Sequence, residues 1–457
     1  GAGAAGLNVA GFMNRAGFKV LLIEREEGRI GGDCLNFGCV PSKALIHVSK
    51  MVHGRKSAGV FGLEVGGKVD LGKVMQYVES KREVIREHEN AGYLRGIGMD
   101  VVIGVAKFAS RNSVMVGEET YTAKKIVIAT GGRPRELKVK GIESVEWYNN
   151  ETIFGLKKLP ERMVVIGGGP IGIEIGQAFN RLGTEVSVIN RGDIFLPKEN
   201  YEISKILLSR LEKEGMEFYF NSSPKEFLSD KRLLIEDKDG TTELSFDVVF
   251  VGIGRVLNIE GLDLKKAGIE VDRHKIRVDK YLRTTNKNVL LCGDVAGSYQ
   301  FTHATELHAR VIINNLFSPL KKKLSYDKFS WVTYTDPEIA TFGLTESELK
   351  KRNIRYDRLA LDFSEDDRAI VDDYTSAKSI LYVSKGKVVG GTMAAPNAGE
   401  IFQELALAME SGMDIKNIFN KTYPYPTASR VNQRIVALHY SKRLTGLVKK
   451  IMRVLYH

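Results

Sequence analysis

The sequence predicts an α/β fold built on two dinucleotide-binding βαβ units, with an α+β segment after them. Two observations carry this prediction. The glycine motif Gly1-x-Gly3-x-x-Gly6 recurs as Gly167-x-Gly169-x-x-Gly172. Each copy opens a helical stretch and then an apolar strand, Lys19-Val20-Leu21-Leu22-Ile23 or Glu185-Val186-Ser187-Val188-Ile189. The strands end at Glu24 and Asn190, each 18 residues after the last glycine of its motif. The second observation is a pair of thiols, Cys34 and Cys39, just past the first unit in Gly31-Gly32-Asp33-Cys34-Leu35-Asn36-Phe37-Gly38-Cys39-Val40-Pro41-Ser42-Lys43. One glycine motif is weak evidence. Two in register around a dithiol are specific.

Each element has a physical reason. The glycines permit a tight turn and let backbone amides approach a pyrophosphate. The following helix presents unpaired N–H groups and the positive end of its dipole. A strand must precede that turn, so residues upstream of Gly1 are expected, and a targeting signal among them stays open. Glu24 can accept both ribose hydroxyls of an adenosine. In the second unit an acid at position 190 would hold a ribose 2′-hydroxyl. Asn190-Arg191 instead removes repulsion and offers a cation to a 2′-phosphate, which favours NADPH over NADH.

Composition bounds the function. The 457 residues suffice for two or three domains, and 43% hydrophobic with 27% charged residues is ordinary for a soluble globular chain. No apolar run is long enough to span a bilayer. Three cysteines are too few for a secreted disulfide scaffold. A reducing, cytoplasmic setting and a catalytic Cys34/Cys39 pair are expected. Cys292 lies inside an apolar strand and reads as a buried, inert thiol.

The Cys34–Lys43 segment closely resembles the active-site helix of the flavoprotein disulfide reductases. These are the class I pyridine nucleotide-disulfide oxidoreductases, which include glutathione reductase, dihydrolipoamide dehydrogenase and mercuric reductase. The resemblance covers nearly the whole chain to about residue 435. It implies two Rossmann-like domains, for FAD and NAD(P), plus an α+β C-terminal dimerisation domain and a homodimer. The implied FAD domain is split, 1–150 and 272–325, around an NAD(P) domain at 151–271. Dimerisation falls to 326–435, where Tyr334-Thr335-Asp336-Pro337-Glu338 matches the start of that domain. The implied FAD-site residues are Gly1, Gly3, Gly6, Glu24, Gly32, Lys43, Thr130, Gly131, Asp294 and Ala304. Thr130 and Gly131 sit in an Ala-Thr-Gly turn, and Asp294 in a Gly-Asp motif of the kind that binds the ribityl chain. The implied nicotinamide-site residues are Gly167, Gly169, Gly172, Asn190, Arg191 and Gly254. Gly172 and Gly176 stand where NADP-binding relatives often carry alanine, which keeps NADH open.

The resemblance also implies roles. Cys39 is the thiol against the flavin, and Cys34 the outer interchange thiol. Both are expected to gain thiolate character from a helix N-terminus. Lys43 lies near the flavin and Glu174 pairs with it. One departure stands out. Relatives place a His-x-x-x-x-Glu pair near the C-terminus as acid–base catalyst and orienting acid. Here Tyr425 and Arg430 hold those positions. A phenol with pKa near ~10 is a poor base at neutral pH. Mercuric reductases place a tyrosine nearby, but they also carry a C-terminal cysteine pair, and no cysteine follows Cys292. The stretches Gln300-Phe301-Thr302-His303-Ala304 and Asp366-Asp367-Arg368-Ala369 are similar to those of a mercuric-reductase-like subgroup. The substrate is thus a small disulfide or a thiol-bound metal.

The net charge of +11 is uneven: residues 434, 442, 443, 449, 450 and 453 are Lys or Arg, with no acid from 434 onward. Projected as a helix, 442–455 places Lys442, Arg443, Lys449, Lys450 and Arg453 opposite Leu444, Leu447, Val448, Ile451 and Leu455. This basic amphipathic helix, within 436–457, either packs on its own dimer or docks on a membrane surface or partner. The docked form would make the protein a peripheral electron carrier. Nucleic acid is not expected as a partner, because no aromatic residues interleave the basic ones. No metal site is expected either. His303 and His308 could sit near the flavin but lack further ligands, and His47 and His53 read as helix-surface residues.

Overall fold

The computed structural model describes residues 1–64, 66–297, 299–442 and 446–456. The chain forms two compact units, 1–185 with 223–324 and 186–222 with 325–457.

The first unit begins with α1 (Ala4–Arg15), β1 (Leu21–Glu24), α2 (Gly32–Asn36) and α3 (Cys39–Ala58). There follow α4 (Leu71–Arg86), β2 (Asp100–Ile103), β3 (Ile126–Ile128), β4 (Arg162–Ile166) and α5 (Pro170–Leu182). After the excursion into the second unit come β5 (Val248–Val251), β6 (Val289–Leu291) and α6 (Thr302–Phe317). Three of its strand pairs are parallel, β1 with β2, β4 with β5 and β3 with β6, while residues 106–122 and 223–245 form antiparallel sheets. Met163–Ile166 and Val248–Val251 are buried at every position. Parallel strands covered on both faces need continuous apolar runs of this kind. Helix α5 starts with Pro170, whose fixed φ suits the first turn, and stops at Gly183 with φ +118°.

In the second unit, the strand end at Ser187–Ile189 pairs in parallel with Glu217–Tyr219. Helix α7 (Tyr201–Lys213) lies between them in sequence, capped by Asn200, whose side chain accepts from Glu202 N at 2.9 Å. Beyond residue 325 an antiparallel sheet forms from β7 (Ser330–Thr333), β8 (Glu338–Gly343), β9 (Asp357–Asp362), β10 (Lys378–Ser384) and β11 (Lys387–Ala395). The spatial order is β7-β8-β11-β10-β9. Helix α8 (Arg430–Ser441) buries Val431, Ile435 and Val436 in the core of this unit. This is the α+β segment that the sequence predicts.

The tail differs in detail from expectation. Residues 436–441 belong to α8, and a separate helix α9 spans Gly446–Tyr456. Arg443 and Leu444 lie outside the described residues. In α9 the side chains of Leu447, Ile451 and Leu455 are exposed, as are Lys449, Lys450 and Arg453. Among the described residues no helix is long and apolar enough to cross a membrane.

Candidate active site

The first unit folds its glycine motif and its thiols against each other. Residues Gly3 and Gly31 form a parallel bridge, and Gly31 N donates to Ala2 O at 2.9 Å. A Cβ on Gly6 would sit 1.9 Å from the Gly1 carbonyl oxygen, and one on Gly32 would sit 2.6 Å from Gly3 Cα. Only glycine fits this crossing. No side chain caps α1, so its first amides stay available to an anion. Glu24, at the end of β1, is buried. Its Oε2 accepts from Ala2 N at 2.7 Å and its Oε1 from Arg25 N at 2.9 Å. This uncapped helix end, the side-chain-free crossing and the Glu24 carboxylate fit the pyrophosphate and ribose of a dinucleotide.

The redox segment is a short helix, a turn and a long helix. Asn36, buried at the turn, donates to Ile30 O and Gly32 O, both at 3.0 Å. Helix α4 braces the same residue: Arg82 Nη1 donates to Asn36 O at 2.8 Å and Arg86 Nη2 to Asn36 Oδ1 at 3.1 Å. Cys34 lies in α2, and Cys39 is the first residue of α3. Both are free thiols, and Cys34 hydrogen-bonds to Cys39. Thr302 Oγ1, at the start of α6, is 3.4 Å from Cys39 Sγ. Lys43, one turn along α3, places its Nζ 2.8 Å from Glu174 Oε2 on α5.

These contacts split the two thiols. The hydrogen bond from Cys34, aided by Thr302 and Lys43, pulls the Cys39 thiol down to about 6 against the effect of burial. The same bond, with burial, pushes Cys34 far up. Two thiols in contact cannot both ionise easily, and the Thr302 hydroxyl and the Lys43 ammonium favour the charge on Cys39.

Beside the thiols lies an ion cluster that the sequence reading did not single out. Arg255 Nη2 donates to the Asp33 carboxylate and, at 2.8 Å, to Gly132 O. Its Nε lies 3.5 Å from Asp294 Oδ2. Burial pushes both carboxyls up, and Arg255 opposes this. The available signals were an acid next to a reactive thiol and a cation next to Gly254, whose φ is +103°.

The remaining expected residues of this unit fall nearby or brace it. Thr130 Oγ1 donates to Asn258 O at 2.6 Å, and Gly131 has φ +65° with open space where a Cβ would be. Ala304 is buried in the first turn of α6. Gly167 takes φ +110°, and a Cβ there would meet Gly252 O at 2.5 Å. A Cβ on Gly172 would lie 2.2 Å from Gly167 O, while Gly169 faces open space. His308 is fully buried, and its Nδ1 accepts from Gly293 N at 3.1 Å; burial lowers it to about 4, so it is neutral. His303 is exposed and stacks on Phe301. Cys292 is buried and pushed up to about 12, the inert thiol expected. Among the described residues no group of three or more His, Cys, Asp or Glu is placed to hold a metal ion.

Asn190, Arg191 and Tyr425 belong to the second unit. The Asn190 side chain donates to Gly192 O at 2.9 Å, and Arg191 is exposed. Tyr425 is 67% exposed, and the Arg430 guanidinium lies 5.3 Å from its ring centre. Arg430 also reaches Asp367 at 3.8 Å, Arg434 reaches Asp366 at 3.0 Å, and Arg368 donates to Pro426 O at 3.4 Å. Two segments that the sequence marks separately, Asp366–Ala369 and Tyr425–Arg430, are thus one cluster.

A glycine cradle for a dinucleotide beside a hydrogen-bonded dithiol defines a nucleotide-fed dithiol redox protein. Residues 1–309 match the pyridine nucleotide-disulphide oxidoreductase family, and residues 329–435 match the dimerisation domain of that family. The chain belongs to it. A mercuric reductase from Lysinibacillus sphaericus is 30% identical over 98% of this chain and 83% of its own length. A dihydrolipoyl dehydrogenase from Thermus scotoductus is 32% identical over 96% of each chain. Among solved structures, the HOCl-induced flavoprotein disulfide reductase RclA from Escherichia coli superposes with a TM-score of 0.85 at 23% identity, covering 96% of this chain and 98% of that one. The protein is therefore an FAD- and NAD(P)H-dependent oxidoreductase of this family that carries its electrons through the Cys34/Cys39 pair, and its dimerisation domain makes it a homodimer.

Proposed function

We propose that the enzyme reduces a small disulfide or thiol-linked substrate with electrons from NADPH, Cys34 being the thiol that meets it. FAD, when bound, supplies two-electron transfer between the nicotinamide and the thiol pair. Gly1, Gly3, Gly6, Glu24, Gly32, Thr130, Gly131, Asp294 and Ala304 would hold it, within 1–150 and 272–325. Gly167, Gly169, Gly172, Asn190, Arg191 and Gly254, within 151–271, would hold the nicotinamide coenzyme. The cytoplasm would be its setting, and NADPH would reduce the pair again after each turnover.

The observation that carries this reading is the Cys34–Cys39 hydrogen bond, with Thr302 Oγ1 3.4 Å from Cys39 Sγ and the Lys43–Glu174 pair one turn along α3. With tyrosine at position 425, Cys39 itself serves as the base. As Cys34 Sγ attacks a disulfide sulfur, its proton passes to Cys39 and the first substrate thiolate leaves. That thiolate takes the proton back. Cys39 then attacks Cys34 Sγ, closing the protein disulfide and releasing the second thiolate. Lys43, held by Glu174, steadies the charge on Cys39 whenever it is a thiolate.

Anaerobic reduction with NADPH tests this. A long-wavelength thiolate-to-flavin absorbance band should appear in the wild type and be missing in Cys39→Ser. Reduction without that band in the wild type would mean that the thiols are idle.

The mercuric reductase relative favours a second substrate, thiol-complexed Hg(II), taken between the same two sulfurs. Helix α9, with its apolar side chains in solvent, suits docking on a membrane surface or partner. Removing residues 446–457 should then weaken binding and leave NADPH–dye activity intact.

A further inference from the structure

A shallow apolar groove opens where the C-terminal ends of α1 and α6 meet. Phe12, Ala16, Phe18, Ile313 and Phe317 line it. The Phe317 ring centre is 6.2 Å from that of Phe12 and 5.3 Å from that of Phe18. These rings are not tucked into the core between the helices, which Ala5, Val9, Ala309 and Ile312 fill. Phe18 is 45% exposed, Phe317 50%, and Leu320, just beyond the helix, 81%. Single exposed apolar side chains need no explanation, but a contiguous aromatic patch marks a docking surface.

Charge chooses the occupant. Arg15, Lys19, Lys321, Lys322 and Lys323 are all exposed on the segments that build the groove. Neither 1–23 nor 307–326 contains an Asp or Glu. Lys321 Nζ donates to Asn315 O and Ser318 O, both at 2.8 Å, which pins the basic loop against the end of α6. This charge favours a partner rich in anions. The rings carry no hydrogen-bonding group, so they suit an acyl boundary better than the polar rim of an acidic protein. Lysines on long stems reach headgroup phosphates above such rings. We propose that this face docks the enzyme on an anionic lipid bilayer, with Phe18, Phe317 and Leu320 at the acyl boundary and Lys322 and Lys323 at the phosphates. None of these residues belongs to the redox centre.

Co-sedimentation of the full-length holoenzyme with vesicles tests it, comparing phosphatidylcholine alone with phosphatidylcholine plus phosphatidylglycerol. Binding should require phosphatidylglycerol and weaken as salt rises. Phe18→Ser/Phe317→Ser and, separately, Lys322→Gln/Lys323→Gln should each weaken it by about tenfold or more, with NADPH–dye activity unchanged. Both variants alter exposed side chains and retain α9, so binding through the tail alone would leave them at wild-type affinity and overturn the proposal. Absence of wild-type binding would also overturn it. So would a phenylalanine variant that changes the oligomeric state without affecting vesicle binding, because the groove would then be an interface between copies.

Discussion

The Lys43 ammonium sits 2.8 Å from the Glu174 carboxylate, joining the helix that carries Cys39 to the helix that follows the second glycine motif. Glu174 is buried, so removing the ammonium leaves its carboxylate short of one partner. Lys43→Gln should slow reduction of the thiol pair by NADPH roughly tenfold or more. It should also lower stability by about 1 kcal/mol, as a buried acceptor loses one of its donors. Stopped-flow reduction and urea unfolding read these separately. Unchanged values in both would make the pair incidental.

The thiol split has a direct pH signature. The Cys39 thiol is held at about 6, first by the Cys34 hydrogen bond. Only the thiolate is nucleophilic, so alkylation of Cys39 in the reduced enzyme should speed up as pH rises through about 6 and then level off. Cys34→Ala removes the largest cause of the depression, so its midpoint should move upward. A wild-type midpoint near the ordinary thiol value of ~8.5 would refute the arrangement.

Arg255 balances two carboxylates next to the thiolate. Burial disfavours charge on both Asp33 and Asp294, and Arg255 counters that effect. In Arg255→Leu the two acids and Cys39 would repel one another. Each should then protonate at higher pH, and the alkylation midpoint of Cys39 should rise. Arg255→Lys keeps the charge and should restore most of the shift, which a purely packing role would not do. Equal midpoints in all three proteins would remove Arg255 from the electrostatics of the centre.

Coenzyme choice tests Arg191. A cation beside a neutral Asn190 should favour a 2′-phosphate. Arg191→Ala should lower kcat/KM for NADPH by about tenfold while sparing NADH. A wild-type preference for NADH would defeat the argument.

Much of this centre could be read from the sequence. The glycine crossing is a local steric rule, and Gly6 obeys it because any side chain would strike the Gly1 carbonyl. The buried β4 and β5 reveal themselves as unbroken apolar runs, and the Cys34/Cys39 pair by its spacing. Tyr425 and Arg430 were visible as a departure, but their stacking was not. Neither were the partners of the dithiol. Thr302 lies 263 residues from Cys39, and Arg255 lies 222 from Asp33. A motif records which groups are present and the backbone turns that they permit. Which thiol holds the charge depends on donors and ions within a few ångströms, and only the folded chain brings those together.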